Sequence, residues 1–251
     1  MNKQVILIVG ATSAIGKACA HILKDKQLIL MGRDNNKLTN LLQELNIPAD
    51  IYVVDVASEL EINNCVEHVL NTYNQIDAVI YNTAIYPISN VELLSHKEWC
   101  DTLDINLSGA FSVAKACIPI MKKQNSGKFV FISSTAGEII GLPGQVAYAT
   151  SKAGLNGLMR TLAIELAPFN INVNSISPGK VFDASTLSQE EILHKLRPIP
   201  LKRFIDPEDI AYMVQFLLSE KGKNITGQNF IIDGGQSILG EDSYASKTVV
   251  Y

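Results

Sequence analysis

The stretch Val5-Ile6-Leu7-Ile8-Val9-Gly10-Ala11-Thr12-Ser13-Ala14-Ile15-Gly16 decides how the chain folds. Five consecutive apolar residues leave no polar face, so Val5 to Val9 form a strand covered on both sides, as in a parallel sheet flanked by helices. A glycine-rich turn follows at once and opens a helix. Its backbone N–H groups and the positive end of the helix make a place for a pyrophosphate. Gly10, Thr12, Ser13, Ile15 and Gly16 are therefore candidate cofactor-binding residues.

The same rhythm continues outward. Short apolar runs at 27–31, 50–54, 78–81, 128–132, 171–176 and 229–232 alternate with helix-like stretches. With the first run they predict seven strands in a doubly wound α/β fold, a seven-stranded parallel sheet flanked by helices of the Rossmann type. No repeat, low-complexity tract or linker interrupts the pattern, so residues 1–251 are expected to form a single dinucleotide-binding and catalytic domain. At 47% hydrophobic residues the chain can bury the core that such a domain needs. The longest departure is 181–200, with a small helix expected around 189–196. It precedes a helix start at Asp206-Pro207-Glu208, where Asp206 can cap and Pro207 suits the first helical position.

A net charge of −4 offers no basic surface for nucleic acid and no attraction to anionic membranes, so neither partner is expected. Met1-Asn2-Lys3-Gln4 leads into an apolar run far too short to span a membrane and lacking a small-residue cleavage pattern, which predicts an unprocessed cytoplasmic protein. Cys19, Cys65, Cys100 and Cys117 are scattered, as are His21, His68, His96 and His194. Their spacing indicates no metal site and no disulfide framework.

The chemistry is concentrated in Tyr148-Ala149-Thr150-Ser151-Lys152. A step of four residues puts the phenol and the ammonium on one helix face, a turn apart. A phenol with an ordinary pKa of about 10 is a poor acid or base at neutral pH, and a fixed positive charge beside it stabilises the phenolate. Tyr148 could then exchange a proton with a substrate. Ser134, in Ser133-Ser134-Thr135, lies at the end of the fifth strand, where open α/β sheets hold their ligands, and its hydroxyl can donate to a substrate oxygen. Ser133 is the fallback.

Taken together, the glycine turn, Ser134, Tyr148, Lys152 and Pro178-Gly179 resemble a short-chain dehydrogenase/reductase of the compact single-domain branch, over about residues 5–235. The resemblance implies a small carbonyl or alcohol substrate, hydride transfer with a nicotinamide cofactor, and a catalytic set of Asn106, Ser134, Tyr148 and Lys152. In that family Asn106 would hold a water behind the lysine, Lys152 would also bind the ribose, and 181–200 would fold over the substrate. Asp55 and Val56 would contact the adenine. Asn82 would lie beside the cofactor, and Pro178, Gly179 and the Val181 backbone would border the nicotinamide. Departures from the family pattern are Val9 for Thr, Ala14 and Ala84 for Gly, Tyr81 for Asn and Asp183 for Thr. Ser134 precedes Tyr148 by fourteen residues where many relatives have thirteen, which fits one extra residue in 138–145.

The second strand ends Leu30-Met31-Gly32-Arg33-Asp34. An acid there accepts from the ribose of NAD, whereas an arginine accommodates the 2′-phosphate of NADP. Gly32 in the acid's place and Arg33 beside it favour NADP(H) over NAD(H), while a shift of one residue would make Asp34 the ribose acid. Gly154 and Gly157, costly inside a helix, suggest close approach by the sheet or by a neighbouring subunit. By resemblance the protein is a homo-oligomer, a tetramer or a dimer, joined through helices at 106–121 and 148–167; the tail after Gly235 either frays or packs across another subunit. The competing function is a catalytically idle dinucleotide sensor or scaffold on the same fold. A sugar-nucleotide epimerase is set aside, since it would need a larger substrate domain after Lys152.

Overall fold

The computed structural model describes residues 3–182 and 184–240. Seven parallel strands, β1 (Val5–Val9), β2 (Gln27–Gly32), β3 (Ala49–Val53), β4 (Ala78–Tyr81), β5 (Gly127–Ile132), β6 (Ile171–Pro178) and β7 (Asn229–Ile232), form one sheet in the order β3-β2-β1-β4-β5-β6-β7. Eight helices of eight residues or more are described: α1 (Ala14–Ile22), α2 (Asn35–Leu45), α3 (Glu59–Tyr73), α4 (His96–Leu103), α5 (Gly109–Gln124), α6 (Val146–Leu166), α7 (Gln189–Leu196) and α8 (Pro207–Leu218).

The opening strand shows why its apolar run is continuous. Val5, Leu7 and Val9 enter a core shared with α3, α5 and α6, whereas Ile6 and Ile8 enter a second core shared with α1, α2 and α8. Successive side chains point to opposite faces, and both faces are covered. The strand order reverses between β2 and β4, on either side of β1, so the crevice that such sheets use for ligands opens above Gly10 and Asn82.

Strand edges differ from the sequence expectation by one or two residues. β3 begins at Ala49 because it pairs with Leu28 of β2, and β6 runs on to Pro178 because its end pairs with Ile232 of β7. The helix expected at 189–196 is present. Its start is fixed by a reciprocal capping box in which Ser188 accepts from the Glu191 N–H and Glu191 accepts from Ser188. At α8, Pro207 occupies the first turn as expected, but the Asp206 carboxylate makes no capping bond. The Asp206 carbonyl instead accepts the Asp209 N–H at 3.0 Å.

Among the described residues no helix is long and apolar enough to cross a membrane. Cys19, Cys65 and Cys117 are buried free thiols whose pKa values burial pushes up. The close approach inferred at Gly154 comes from Leu107, whose side chain would stand 2.7 Å from an added Cβ, while Gly157 faces open space. Asp183 and the tail beyond 240, which carried expectations about the nicotinamide and a subunit contact, lie outside the described residues.

Candidate active site

Gly10 leaves β1 with φ +82°, and a Cβ there would stand 2.8 Å from the Thr83 backbone nitrogen, so the turn requires glycine. Gly16 is packed as tightly, since a Cβ on it would run into the Gly10 carbonyl. Ser13 caps α1, accepting the Gly16 N–H at 3.1 Å. Asn82, at the end of β4, latches the loop from the side, donating to the Gly10 carbonyl at 3.0 Å and to Ser13 Oγ at 2.6 Å. Ala14 is not among the residues with positive φ, so the alanine found where relatives have glycine is unstrained. Ala14 and Ile15 sit in the first turn of α1, where backbone N–H groups have no intrahelical acceptor. The loop is thus a fixed cradle with donors at a helix start. It fits a dinucleotide pyrophosphate, and side chains at Gly10 or Gly16 would destroy it.

The loop forms one side of a cavity of about 850 Å³. Gly10, Thr12, Ser13, Ile15, Arg33, Asp55, Val56, Asn82, Ser134, Tyr148, Lys152, Pro178, Gly179 and Val181 all line it. Of the residues expected from the sequence, Gly16 and Asn106 do not. Gly16 acts through packing, and its N–H is already taken by Ser13.

At the β2 end of the cavity Arg33 is exposed, and the neighbouring acid has a different task from the one the shifted register would give it. Asp34 is the N-cap of α2: Oδ1 accepts the Lys37 N–H at 3.0 Å, and Oδ2 lies 3.9 Å from Lys37 Nζ. Lys37 also borders the cavity and was not anticipated from the sequence. Asp55 is held by its own Asx turn, Oδ1 accepting the Ala57 N–H at 3.0 Å, while its N–H donates to Glu61 at 2.8 Å.

At the other end, Tyr148 and Lys152 rise from the first turns of α6, with Lys152 Nζ 5.7 Å from the centre of the Tyr148 ring. Lys152 is only 2% exposed, and its ammonium donates to the Ile132 carbonyl at 2.7 Å. Desolvation pushes its pKa down to about 7. Burial also raises the Tyr148 pKa, and the Ser134 hydroxyl beside it draws it back down. The expectation that Lys152 simply lowers the phenol's pKa is therefore corrected, because burial acts first and on both groups.

Ser134 Oγ accepts the Ala136 N–H at 3.1 Å, which leaves its own proton to donate. Ser133 is excluded as the donor because its hydroxyl is spent on the Lys152 carbonyl at 3.2 Å. Tyr86, Leu142, Gln145 and Phe182 complete this end, with the Tyr86 and Tyr148 ring centres 6.1 Å apart. Beyond it, the Lys180 ammonium ties the cavity wall to the end of α7 through the Lys195 carbonyl at 3.0 Å.

Asn106 is buried at the middle of a five-residue π turn, Asp104–Ser108. Its Oδ1 accepts the Ile85 N–H at 2.8 Å, and its Nδ2 donates to the Ile85 carbonyl at 2.8 Å and to Ser151 Oγ at 3.0 Å. Both donors of the Asn106 side chain are thus used within the protein. Ser151 in turn donates to the Tyr148 carbonyl at 2.7 Å. Ser151 and the Ile85 backbone were missed from the sequence: the serine sits unremarked inside the Tyr148–Lys152 motif, and a main-chain partner leaves no side-chain signal.

A family model described as enoyl-(acyl carrier protein) reductase matches residues 10–237. The chain belongs to the short-chain dehydrogenase/reductase family. It is 37% identical over 245 residues to a 3-oxoacyl-[acyl-carrier-protein] reductase of Thermotoga maritima, covering 94% of this chain and 98% of that one. A reductase of the same description from Aquifex aeolicus is 35% identical, again covering 94% and 98%. Among solved structures, an actinorhodin polyketide ketoreductase variant with NADPH superposes with a TM-score of 0.89 at 29% identity, covering 95% of this chain and all of that one. Tyr81, where the family pattern has Asn, turns away from the cavity into the core beside α5.

Proposed function

We propose that this enzyme reduces the keto group of a 3-oxoacyl thioester to the alcohol with NADPH, in a single cytoplasmic domain that assembles as a homo-oligomer. The observation that carries this reading is the convergence of two hydroxyl donors, Tyr148 and Ser134, over a buried Lys152, at the end of the cavity that begins at the phosphate cradle. Two donors converging on one oxygen suit a carbonyl whose oxygen gains negative charge during reduction. The likeness to 3-oxoacyl-carrier-protein reductases and to an NADPH-bound ketoreductase points the same way.

The glycine loop and Arg33 would hold NADPH, which when bound would supply the hydride. Tyr148 gives its proton to the substrate oxygen as general acid. Ser134 donates a hydrogen bond to the same oxygen, its orientation set by the bond it accepts from the Ala136 N–H. The Lys152 ammonium then stabilises the phenolate left on Tyr148 and contributes to holding the cofactor ribose. Asn106 and Ser151 hold the first turn of α6, so the phenol meets the substrate oxygen without reorganising. Exposed Phe111 on α5 and Ile164 on α6, at 50% and 75% exposure, support an oligomer built through these helices.

The test offers purified protein a 3-oxoacyl thioester and the matching 2-enoyl thioester, following NADPH absorbance. Turnover of the 3-oxo substrate alone is expected, and turnover of the enoyl substrate alone, or of neither, overturns the reading. Light scattering at micromolar protein should give a multiple of 27.4 kDa, and a monomer would remove the assembly.

A further inference from the structure

The departure at Tyr81 has a physical consequence at the far side of the catalytic helix. The Tyr81 side chain is fully buried, and its hydroxyl donates to the Ile105 carbonyl at 2.5 Å. Ile105 belongs to the π turn that carries Asn106. Within that turn the Gly109 N–H reaches the Asp104 carbonyl, five residues back, rather than the Ile105 carbonyl four back as in an α-helix. The Ile105 carbonyl thus loses its ordinary helical donor, and the phenol replaces it. Burial pushes the Tyr81 pKa up, so the hydroxyl keeps its proton. Gly109 makes room for this contact, since a Cβ there would stand 2.5 Å from the Tyr81 oxygen.

We propose that Tyr81 is a positioning residue for catalysis, holding the π turn open so that Asn106 clamps Ile85 on one side and Ser151, beneath Tyr148, on the other. Each link is a direct hydrogen bond: Tyr81 to Ile105 at 2.5 Å, Asn106 to Ile85 and Ser151 at 2.8 and 3.0 Å, and Ser151 to the Tyr148 carbonyl at 2.7 Å. Tyr81 itself does not border the cavity, so it acts only through these intermediaries. A regular α-helical turn shortens the path by one residue, and Asn106 then rotates away from both partners. The inference rests on the proposed reductase activity for its kinetic arm and on the fold alone for its other arm.

The test is Tyr81→Phe, which keeps the ring and removes only the donor. Hydrogen exchange of the Ile85 amide, which donates to Asn106, should quicken about tenfold or more. The same variant should lose about tenfold in kcat on the 3-oxoacyl substrate, with the NADPH Kd within twofold of the parent. Ser151→Ala cuts the same chain at its other end, so the double variant should lose no more than the worse single one. Folded Tyr81→Phe with an unchanged Ile85 exchange rate overturns the proposal whatever the substrate proves to be. So do losses that multiply in the double variant, because Tyr81 would then act elsewhere. Absence of any 3-oxoacyl turnover by the parent refutes the assigned reaction alone and leaves the exchange arm to decide this one.

Discussion

The two ends of the cavity hold their cations in opposite ways. Lys152 is 2% exposed, shares its ammonium with the Ile132 carbonyl, and has its pKa pushed down to about 7. Arg33, a residue past the end of β2, stands exposed on a loop. A charge stripped of water is poised to change state, so Lys152 belongs to proton chemistry. A charge left in water selects ligands by complementarity, and under the proposed function Arg33 serves recognition. The catalytic end should therefore fail in rate and in pH response, and the cofactor end in affinity.

Tyr148→Phe should break the catalytic end most severely. Loss of the exchangeable proton is expected to cost turnover about 10²- to 10⁴-fold while NADPH affinity stays within a factor of two. Steady-state rates with a fluorescence titration of NADPH decide it, and an equal loss in both would return Tyr148 to a packing role.

Lys152 carries the pH response. Its folded pKa of about 7 lies below the unfolded value of about 10.4, so between those values the unfolded chain holds more protons. Stability contributed at this site therefore rises with pH through that window, and the full cost of burying the charge is felt below it. Lys152→Met should raise the Tm most near pH 6 and least near pH 10. Because an anionic ligand favours the ammonium, NADPH binding near pH 7.5 should take up protons in the parent and not in the variant. Calorimetry in two buffers of different ionisation heat measures this, and equal uptake in both proteins would detach Lys152 from the cofactor.

The same contrast explains what could be read in advance. The sheet was legible because its central strands are buried on both faces, and a continuous apolar run such as Val5–Val9 admits few other readings. The cavity wall was legible where a residue type is chemically forced, as with Gly10 at φ +82° or the phenol and ammonium of α6. The support behind the wall was hidden. Asn106 is anchored to the Ile85 backbone, Ser151 to the Tyr148 carbonyl and Tyr81 to the Ile105 carbonyl, and main-chain partners carry no side-chain signature. The direction of the Tyr148 shift was misjudged for a related reason. Helical spacing gives the distance between two groups but says nothing of how much water each loses.

Arg33→Ala sharpens the cofactor end. Removing a charged partner of the 2′-phosphate should weaken NADPH by about 1.5–3 kcal/mol, roughly 10- to 150-fold, and leave NADH within twofold. A loop merely disturbed by the change would weaken both cofactors alike, so the ratio of the two affinities is the quantity to measure.

The smallest effect tests the residue next to it. Asp34 is the one acid that could have claimed the ribose, but its Oδ1 is fixed on the Lys37 N–H at 3.0 Å and its Oδ2 lies toward the Lys37 ammonium at 3.9 Å. Its work is thus to start α2, and Asp34→Ala should cost about 0.5–2 kcal/mol of folding stability by removing the cap. Asp34→Asn separates cap from charge, because the amide oxygen can still accept the Lys37 N–H while the negative charge beside Arg33 and Lys37 is gone. The asparagine variant should melt close to the parent and bind NADPH about two- to fivefold tighter, on the scale of an exposed charge interaction of 0.2–1 kcal/mol. NADH should not respond. If NADH binding alone weakens in either variant, the carboxylate is reaching the ribose and Arg33 is not the residue that sets cofactor choice.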